Sequence, residues 1–136
     1  MKIEYMKPKF LILAFFSVLL LNCSNDDKNN DECIKSETVF VTSVNAPDSV
    51  SLGELINIEV EFQVYSGCGG FGRFIETENG NIRRIEVQAK YVGCICTDNA
   101  PVITTNYTFS PNTKGNYILK FKSGENDFIT ANIIVE

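Results

Sequence analysis

The strongest constraint on this fold is an alternation of apolar and polar side chains with a period of two residues. It is clearest over residues 55–65, where polar residues alternate with an apolar row of Ile56, Ile58, Val60, Phe62 and Val64. This period is typical of a β-strand that buries one face. No window of ten or more residues after Leu21 has the apolar spacing of an amphipathic helix. The pattern therefore predicts an all-β domain.

Seven segments carry this pattern and are predicted as strands, near residues 38–44, 55–65, 71–76, 82–92, 102–109, 115–122 and 128–135. Clusters rich in Asn, Asp, Pro and Gly separate them and predict turns. Short strands of even spacing with such turns are typical of a β-sandwich. The predicted organisation is a leader over 1–22, an acidic flexible tether over 23–37 and the sandwich over 38–136.

The stretch 109–121 indicates which kind of β-sandwich the chain forms. A strand ending at Phe109, a Pro-Asn-Thr-Lys-Gly corner and then Tyr117 resemble the tyrosine corner of immunoglobulin-like domains. There the tyrosine opens the sixth strand and its hydroxyl hydrogen-bonds back across the corner. The resemblance implies an immunoglobulin-like antiparallel β-sandwich of about seven strands. The chain lacks the tryptophan of antibody domains and a cysteine pair joining the second and sixth strands, so the resemblance implies architecture and not function.

The leader indicates where the protein resides. Lys7 and Lys9 precede twelve uncharged, mostly apolar residues, and a polar, acidic run follows Cys23. A basic start, a short apolar centre and an abrupt polar end are typical of a secretory signal. Twelve helical residues span about 18 Å, which is too short to cross a hydrocarbon core of about 30 Å. The chain is therefore predicted to be exported.

The Leu20-Leu21-Asn22-Cys23 ending resembles the lipobox of bacterial lipoproteins, although Asn22 stands where that family prefers a small residue. In that family the cysteine is acylated and becomes the first residue of the mature chain. The resemblance implies palmitate or a similar acyl chain on Cys23, with the membrane as a partner. It also implies an outer-membrane lipoprotein of the cell envelope that faces the periplasm or is surface-exposed, since the Asp-rich run after Cys23 resembles the export signal of surface-displayed lipoproteins.

Four cysteines follow Cys23, namely Cys33, Cys68, Cys94 and Cys96. An even number in an exported domain predicts disulfides. If successive loops alternate between the two ends of the sandwich, all four lie at one end, together with the 66–70, 93–101 and 123–127 loops. A Cys94–Cys96 bridge would close a very small, strained ring. Two pairings stay open: Cys33–Cys94 with Cys68–Cys96, or Cys33–Cys96 with Cys68–Cys94. The less favoured interpretation of Cys94-Ile95-Cys96 is a thiol redox or metal site.

Charge and composition exclude several classes of function. Removing the leader, with three lysines and one glutamate, leaves 9 basic and 16 acidic side chains, a net charge of −7. This balance argues against a nucleic-acid partner. The chain has no histidine, which removes the usual general base. The prediction is a non-catalytic binding or scaffold module without a cofactor or metal, and its candidate ligand is a protein or a glycan.

A glycine-rich segment over 66–72 is the candidate contact loop, represented by Gly69, Gly70, Phe71 and Arg73. Its glycines are expected to allow positive φ in a loop pinned by Cys68. The alternative function is an envelope enzyme or inhibitor that works through this loop or through the cysteines. Three basic residues of the same hairpin are interpreted as solvated outer-face side chains, or else as an anion or glycan-acid contact: Arg73, Arg83 and Arg84.

Overall fold

The computed structural model describes residues 33–136. The leader, Cys23 and the predicted tether as far as Glu32 lie outside these residues. Within them the chain forms nine strands: β1 (Ile34–Val39), β2 (Val41–Asn45), β3 (Ser49–Val50), β4 (Ile56–Gln63), β5 (Gly69–Asn79), β6 (Ile82–Val92), β7 (Val102–Phe109), β8 (Gly115–Lys122) and β9 (Phe128–Val135). The all-β prediction is confirmed, and each of the seven predicted strands is present.

The strands form two packed sheets, which confirms the sandwich. In the large sheet, β6 pairs with β5 along one side. Along its other side, β6 pairs with β8 over its first half and with β1 over its second half. Strand β9 continues the large sheet beside β8, and β3 lies beside β9. The small sheet has the order β2-β4-β7.

The structure departs from the predicted strand pattern in three places. Strand β1 begins at Ile34, four residues before the predicted start of the sandwich, and the chain then changes sheets at Phe40, between β1 and β2. Only Val39 of β1 is buried, so the strand lacks the apolar alternation that would reveal it. The two-residue β3 was not predicted for the same reason. Two pairs, β6–β8 and β3–β9, are parallel, whereas the prediction was antiparallel throughout.

The inward-facing rows of both sheets meet in one apolar core. Its largest fully buried side chains include three phenylalanines, Phe62, Phe109 and Phe121, which fill the space between the sheets. Burying one such side chain contributes about 1.5–3 kcal/mol relative to leaving it exposed. No polar or charged residue among 33–136 is fully buried. The period-two pattern therefore identified the faces of the long strands correctly.

The corner between β7 and β8 has the geometry expected of a tyrosine corner. The buried Tyr117 donates a hydrogen bond from its hydroxyl to the carbonyl of Thr113 at 3.1 Å. Its ring packs edge-on against Phe109, with 5.3 Å between ring centroids. Gly115 opens β8 with a φ of 140°, a conformation that favours glycine. This contact fixes the end of the sandwich that we call the corner end (residues 45–54, 77–81 and 110–117).

Candidate functional site: the cysteine end

Two disulfides lie together at the end of the sandwich opposite the corner end. Cys33 is bonded to Cys94, with Cα atoms 4.9 Å apart, and Cys68 to Cys96, with Cα atoms 5.4 Å apart. The predicted disulfides are confirmed, and the first of the two open pairings is the one present. We call residues 33–35, 64–69 and 91–97 the cysteine end. Within 33–136 no group of His, Cys, Asp or Glu residues is arranged to hold a metal ion.

Backbone hydrogen bonds tie the same three segments together. The amide of Val92 donates to the carbonyl of Cys68 at 3.1 Å, and the amide of Gly93 donates to that of Cys33 at 2.9 Å. The amide of Gly67 donates to the carbonyl of Thr97 at 3.0 Å. Covalent and hydrogen-bonded links therefore join the start of β1, the loop before β5 and the loop after β6 into one rigid unit.

A shallow groove of about 490 Å³ runs across this unit, between Ile34, Lys35, Tyr65 and Tyr91. The Tyr65 ring stacks on Tyr91, with ring centroids 4.2 Å apart. The amide of Tyr65 also donates to the Tyr91 hydroxyl at 3.3 Å. Burial raises the pKa of Tyr91. The two tyrosines form a fixed aromatic wall.

A cation borders the groove. The Nζ atom of Lys35 lies 5.7 Å from the centroid of the Tyr65 ring and forms an ion pair with Glu37. The hydrogen bond between the two raises the pKa of Lys35 and lowers that of Glu37. Both residues belong to the segment predicted as a tether, which is why sequence analysis did not find them.

Apart from Lys35 and its ion-pair partner Glu37, the segments around the groove carry no charge. Residues 33–34, 64–72 and 92–97 contain no acidic or basic side chain. Ile95 projects between the two bridged cysteines and is 96% exposed, and Val92 beside it is 56% exposed. An isoleucine so exposed buries none of its apolar area within the domain. Its position between Cys94 and Cys96 was the sequence signal that could have identified it.

The predicted contact loop over 66–72 is only in part a loop: residues 66–68 form a turn, and the rest belongs to a strand, which corrects that prediction. Gly69, Gly70, Phe71 and Arg73 belong to β5, where Gly69 pairs with Tyr91 and Phe71 with Ala89. The register shifts between Phe71 and Arg73, so Gly72 occupies a β-bulge. Bulges often use glycine within a strand, and this glycine was the available sequence signal.

The glycines of this segment serve close packing and not positive φ, which corrects their predicted role. The glycines with positive φ lie elsewhere, at 53, 80, 93 and 115. A Cβ atom on Gly69 would lie 2.6 Å from the Cβ of Val64, and one on Gly72 would lie 2.6 Å from the carbonyl oxygen of Gln88. Side chains at these two positions would therefore clash with Val64 and with the backbone of Gln88.

The bulge separates the side chains that were predicted to act together. The Phe71 ring packs toward the core, with its centroid 4.8 Å from Phe74 and 6.2 Å from Phe62. Arg73 points to the outer face and donates from Nε to Gln88 at 2.8 Å. Of the four predicted contact residues, only Gly69 reaches the cysteine end.

Arg83 was predicted to be a solvated outer-face residue, and this prediction is wrong. It belongs to the inward row of β6, and its guanidinium lies 5.0 Å from the Phe109 ring centroid. It forms ion pairs of 3.3 Å with Glu76 and Glu78. The Tyr107 hydroxyl donates to Glu76 at 2.6 Å, and burial, together with this bond, raises the pKa of Tyr107. Arg83 therefore stabilises the interior near the corner end.

Comparisons with models of known families, with curated proteins and with solved structures find no match to this chain. Among residues 33–136 there is no helix long and apolar enough to cross a membrane. The described residues therefore form a sandwich with a cross-linked end that carries an aromatic groove and few charges, and with another end closed by Tyr117.

Proposed function

We propose that this protein is a membrane-anchored envelope lipoprotein whose sandwich is a non-catalytic binding or scaffold module. One observation carries the proposal: both disulfides lie at the end where Cys33 begins the described chain. Disulfides persist in oxidising compartments, as expected of an exported domain. Cys33 follows the proposed lipid-bearing Cys23 by only ten residues.

The short connection limits how far the cysteine end can lie from the bilayer. Ten residue steps reach at most about 35 Å when fully extended and about 17 Å on average in a flexible chain. The Cys33–Cys94 bridge prevents β1 from detaching to lengthen the connection. The cysteine end therefore faces the membrane, and apart from the Lys35–Glu37 ion pair its surface can approach a bilayer without desolvating an ion. A membrane-embedded partner would bind this end, and a soluble partner the corner end.

The alternative function was an enzyme or inhibitor working through the 66–72 segment or through the cysteines. A mechanism that works through the cysteines needs reactive thiols. Residues 69–72 are paired in β5, and the four cysteines are paired as disulfides. These observations favour the binding or scaffold module.

The experiment that tests anchoring is Cys23→Ala in the intact chain. We expect this variant to leave the membrane fraction or to accumulate as an unprocessed precursor, and we expect the wild-type chain to carry acyl mass on Cys23 by mass spectrometry. The matched control is Cys68→Ala with Cys96→Ala, which also removes cysteines but leaves the lipobox intact, so it should stay in the membrane fraction. A Cys23→Ala chain that fractionates and migrates like wild type would exclude the proposal.

A further inference from the structure

The outer face of the large sheet concentrates positive charge in an acidic protein. Five of the nine basic side chains that follow the leader point outward from β5, β6 and β8, and we call them the basic face: Arg73, Arg84, Lys90, Lys120 and Lys122. Of the outward residues on these three strands, Glu86 alone is acidic. A chain with a net charge of −7 beyond its leader thus presents a positive surface on one side.

Two cations of the basic face are held directly beside each other. Arg84 and Lys120 are register partners in the parallel pairing of β6 and β8. Like charges at directly opposite positions destabilise a sheet. Lys122 is compensated by Glu86 at 3.4 Å, but within 33–136 neither Arg84 nor Lys120 has an ion-pair partner within 4 Å. The fold itself gains nothing from this juxtaposition, whereas an anion between the two side chains would relieve it.

Two acidic residues that border the basic face are already paired, Glu86 with Lys122 and Glu78 with Arg83. Glu59 and Glu61 lie on β4 in the small sheet, with exposed or half-exposed side chains. Packed sheets are about 10 Å apart, and charges are screened over about 8 Å at physiological ionic strength. An anion at the basic face therefore experiences mainly the nearby cations.

We propose that the basic face binds an acidic polysaccharide, a sugar chain with carboxylate or sulfate groups, and that one anionic group sits between Arg84 and Lys120. The strip from Arg84 to Lys90 spans six residues of β6, or about 20 Å, which is the length of several sugar units. Polar side chains between the cations supply partners for sugar hydroxyls: Thr77, Gln88, Ser36, Thr38 and Thr130. A shallow depression of about 260 Å³ borders Arg84 and Lys120, and Glu78, the acidic residue that also lines it, is ion-paired with Arg83.

A polysaccharide fits this face better than a single-stranded nucleic acid does. Nucleic-acid grooves present aromatic rings on which bases stack. The aromatic ring beside the strip, Phe128, already has the Arg84 guanidinium 5.8 Å from its centroid. Hydroxyl and amide groups, which match sugars, occupy other outward positions, among them Thr77, Gln88 and Thr130. This inference goes beyond the anchored module and does not require the lipid on Cys23.

The test measures binding of the full chain, purified in a non-ionic detergent, to immobilised polygalacturonate at about 50 mM salt, where screening is weak. Dextran sulfate serves as the sulfate-bearing probe and unmodified dextran as the neutral one. We expect binding to the two acidic polymers and not to dextran, with affinity falling steeply as salt rises. A chain that binds neither acidic polymer at low salt would refute the proposal.

Charge variants then locate the site. One close ion pair in water is worth about a fivefold change in affinity, so Arg84→Gln should weaken binding about fivefold and Arg84→Glu about 25-fold. The matched control is Lys114→Glu, which makes the same change in charge at the corner end and should leave binding unchanged. Equal losses in Arg84→Glu and Lys114→Glu would show a response to net charge alone and overturn the assignment.

Thermal stability separates binding from folding. Arg84→Glu places opposite charges beside each other on β6 and β8, so its Tm should be equal to or above that of wild type while its binding falls. A drop in both Tm and binding would show that the loss of binding comes from unfolding, and it would contradict the proposal. Tighter binding of an oligo-dT strand or of phosphatidylglycerol vesicles than of polygalacturonate would replace the polysaccharide with a nucleic acid or a lipid surface.

Discussion

The two ends of this sandwich are held together in different ways. At the cysteine end, every residue over 92–100 is exposed, and two disulfides with backbone hydrogen bonds hold the loops. At the corner end, Phe109, Pro111 and Tyr117 are buried, and side-chain packing with one hydroxyl contact holds the chain. Covalent links thus replace apolar burial where the loops have little to bury.

This difference has a thermodynamic meaning. In the chain-entropy model, bridges that span 28 and 61 residues contribute about 3.6 and 4.3 kcal/mol by restricting the unfolded chain. The corner acts on the folded state instead, through the buried packing of Tyr117 against Phe109 and a hydrogen bond. Substitutions at the two ends should therefore differ sharply in their effect on the free energy of unfolding. The following predictions test this difference.

Reduction of both bridges should have the largest effect. If the two contributions add, the free energy of unfolding falls by about 8 kcal/mol, comparable to the whole stability of a typical domain of about 5–15 kcal/mol. Denaturant unfolding with and without reductant measures this loss. Before reduction, thiol titration of the unfolded chain should find no free thiol at Cys33, Cys68, Cys94 or Cys96, and two or more would contradict the pairing.

Tyr117→Ala should have the next largest effect. Deleting a large buried side chain leaves a cavity, and the cost is about 3–5 kcal/mol. Tyr117→Phe removes only the bond to Thr113 and should cost about 0.5–1.5 kcal/mol. The control is Tyr65→Ala, a tyrosine at the cysteine end that is 49% exposed. Equal destabilisation by Tyr117→Ala and Tyr65→Ala would remove the contrast between the two ends.

Ile95→Ser should have the smallest effect on folding. Surface substitutions of this kind usually change stability by less than about 0.5 kcal/mol, and Ile95 is 96% exposed. Ile85→Ala is the matched buried control and should cost about 2–5 kcal/mol, because Ile85 is fully buried. If Ile95→Ser destabilises as much as Ile85→Ala, the loop over 93–97 packs against the domain.

Labelling tests the orientation that follows from anchoring. A tag inserted at Asn112, at the corner end, should be more accessible to antibody on membranes than one at Asp98, in the loop beside the cysteines. If the protein is displayed on the cell surface, the Asn112 tag is reached on intact cells. A more accessible Asp98 tag would show that the cysteine end does not face the bilayer.

Sequence periodicity predicted the parts of the fold that bury one face. The inward rows of β4, β6 and β8 match it, and Tyr117 occupies the corner expected from its Pro-Asn-Thr-Lys-Gly neighbourhood. The meeting of four cysteines followed from alternating loops. Arg83 shares its parity with Ile85 and Val87, so the same rule would have placed it inside, but its charge led to the wrong prediction of an exposed position.

Other features could not be derived because they depend on which strands are neighbours. The parallel pairing of β6 with β8, which brings Arg84 beside Lys120, is a long-range choice that periodicity does not encode. Strand β1 has exposed side chains, so nothing in its pattern separates it from a tether. Gly69 and Gly72 are glycines because Val64 and the Gln88 carbonyl approach them, and such contacts become evident only once the register is known.

The Cys33–Cys94 bridge also determines how the domain would carry a mechanical load. Tension between an anchored Cys23 and a ligand held elsewhere on the domain would enter at Cys33. Without the bridge, that tension would peel β1 from β6 one residue pair at a time, from Ile34 toward Val39. The bridge transmits the force to the loop that follows β6, a strand with neighbours on both sides. A load applied at Cys33 would therefore not fray β1.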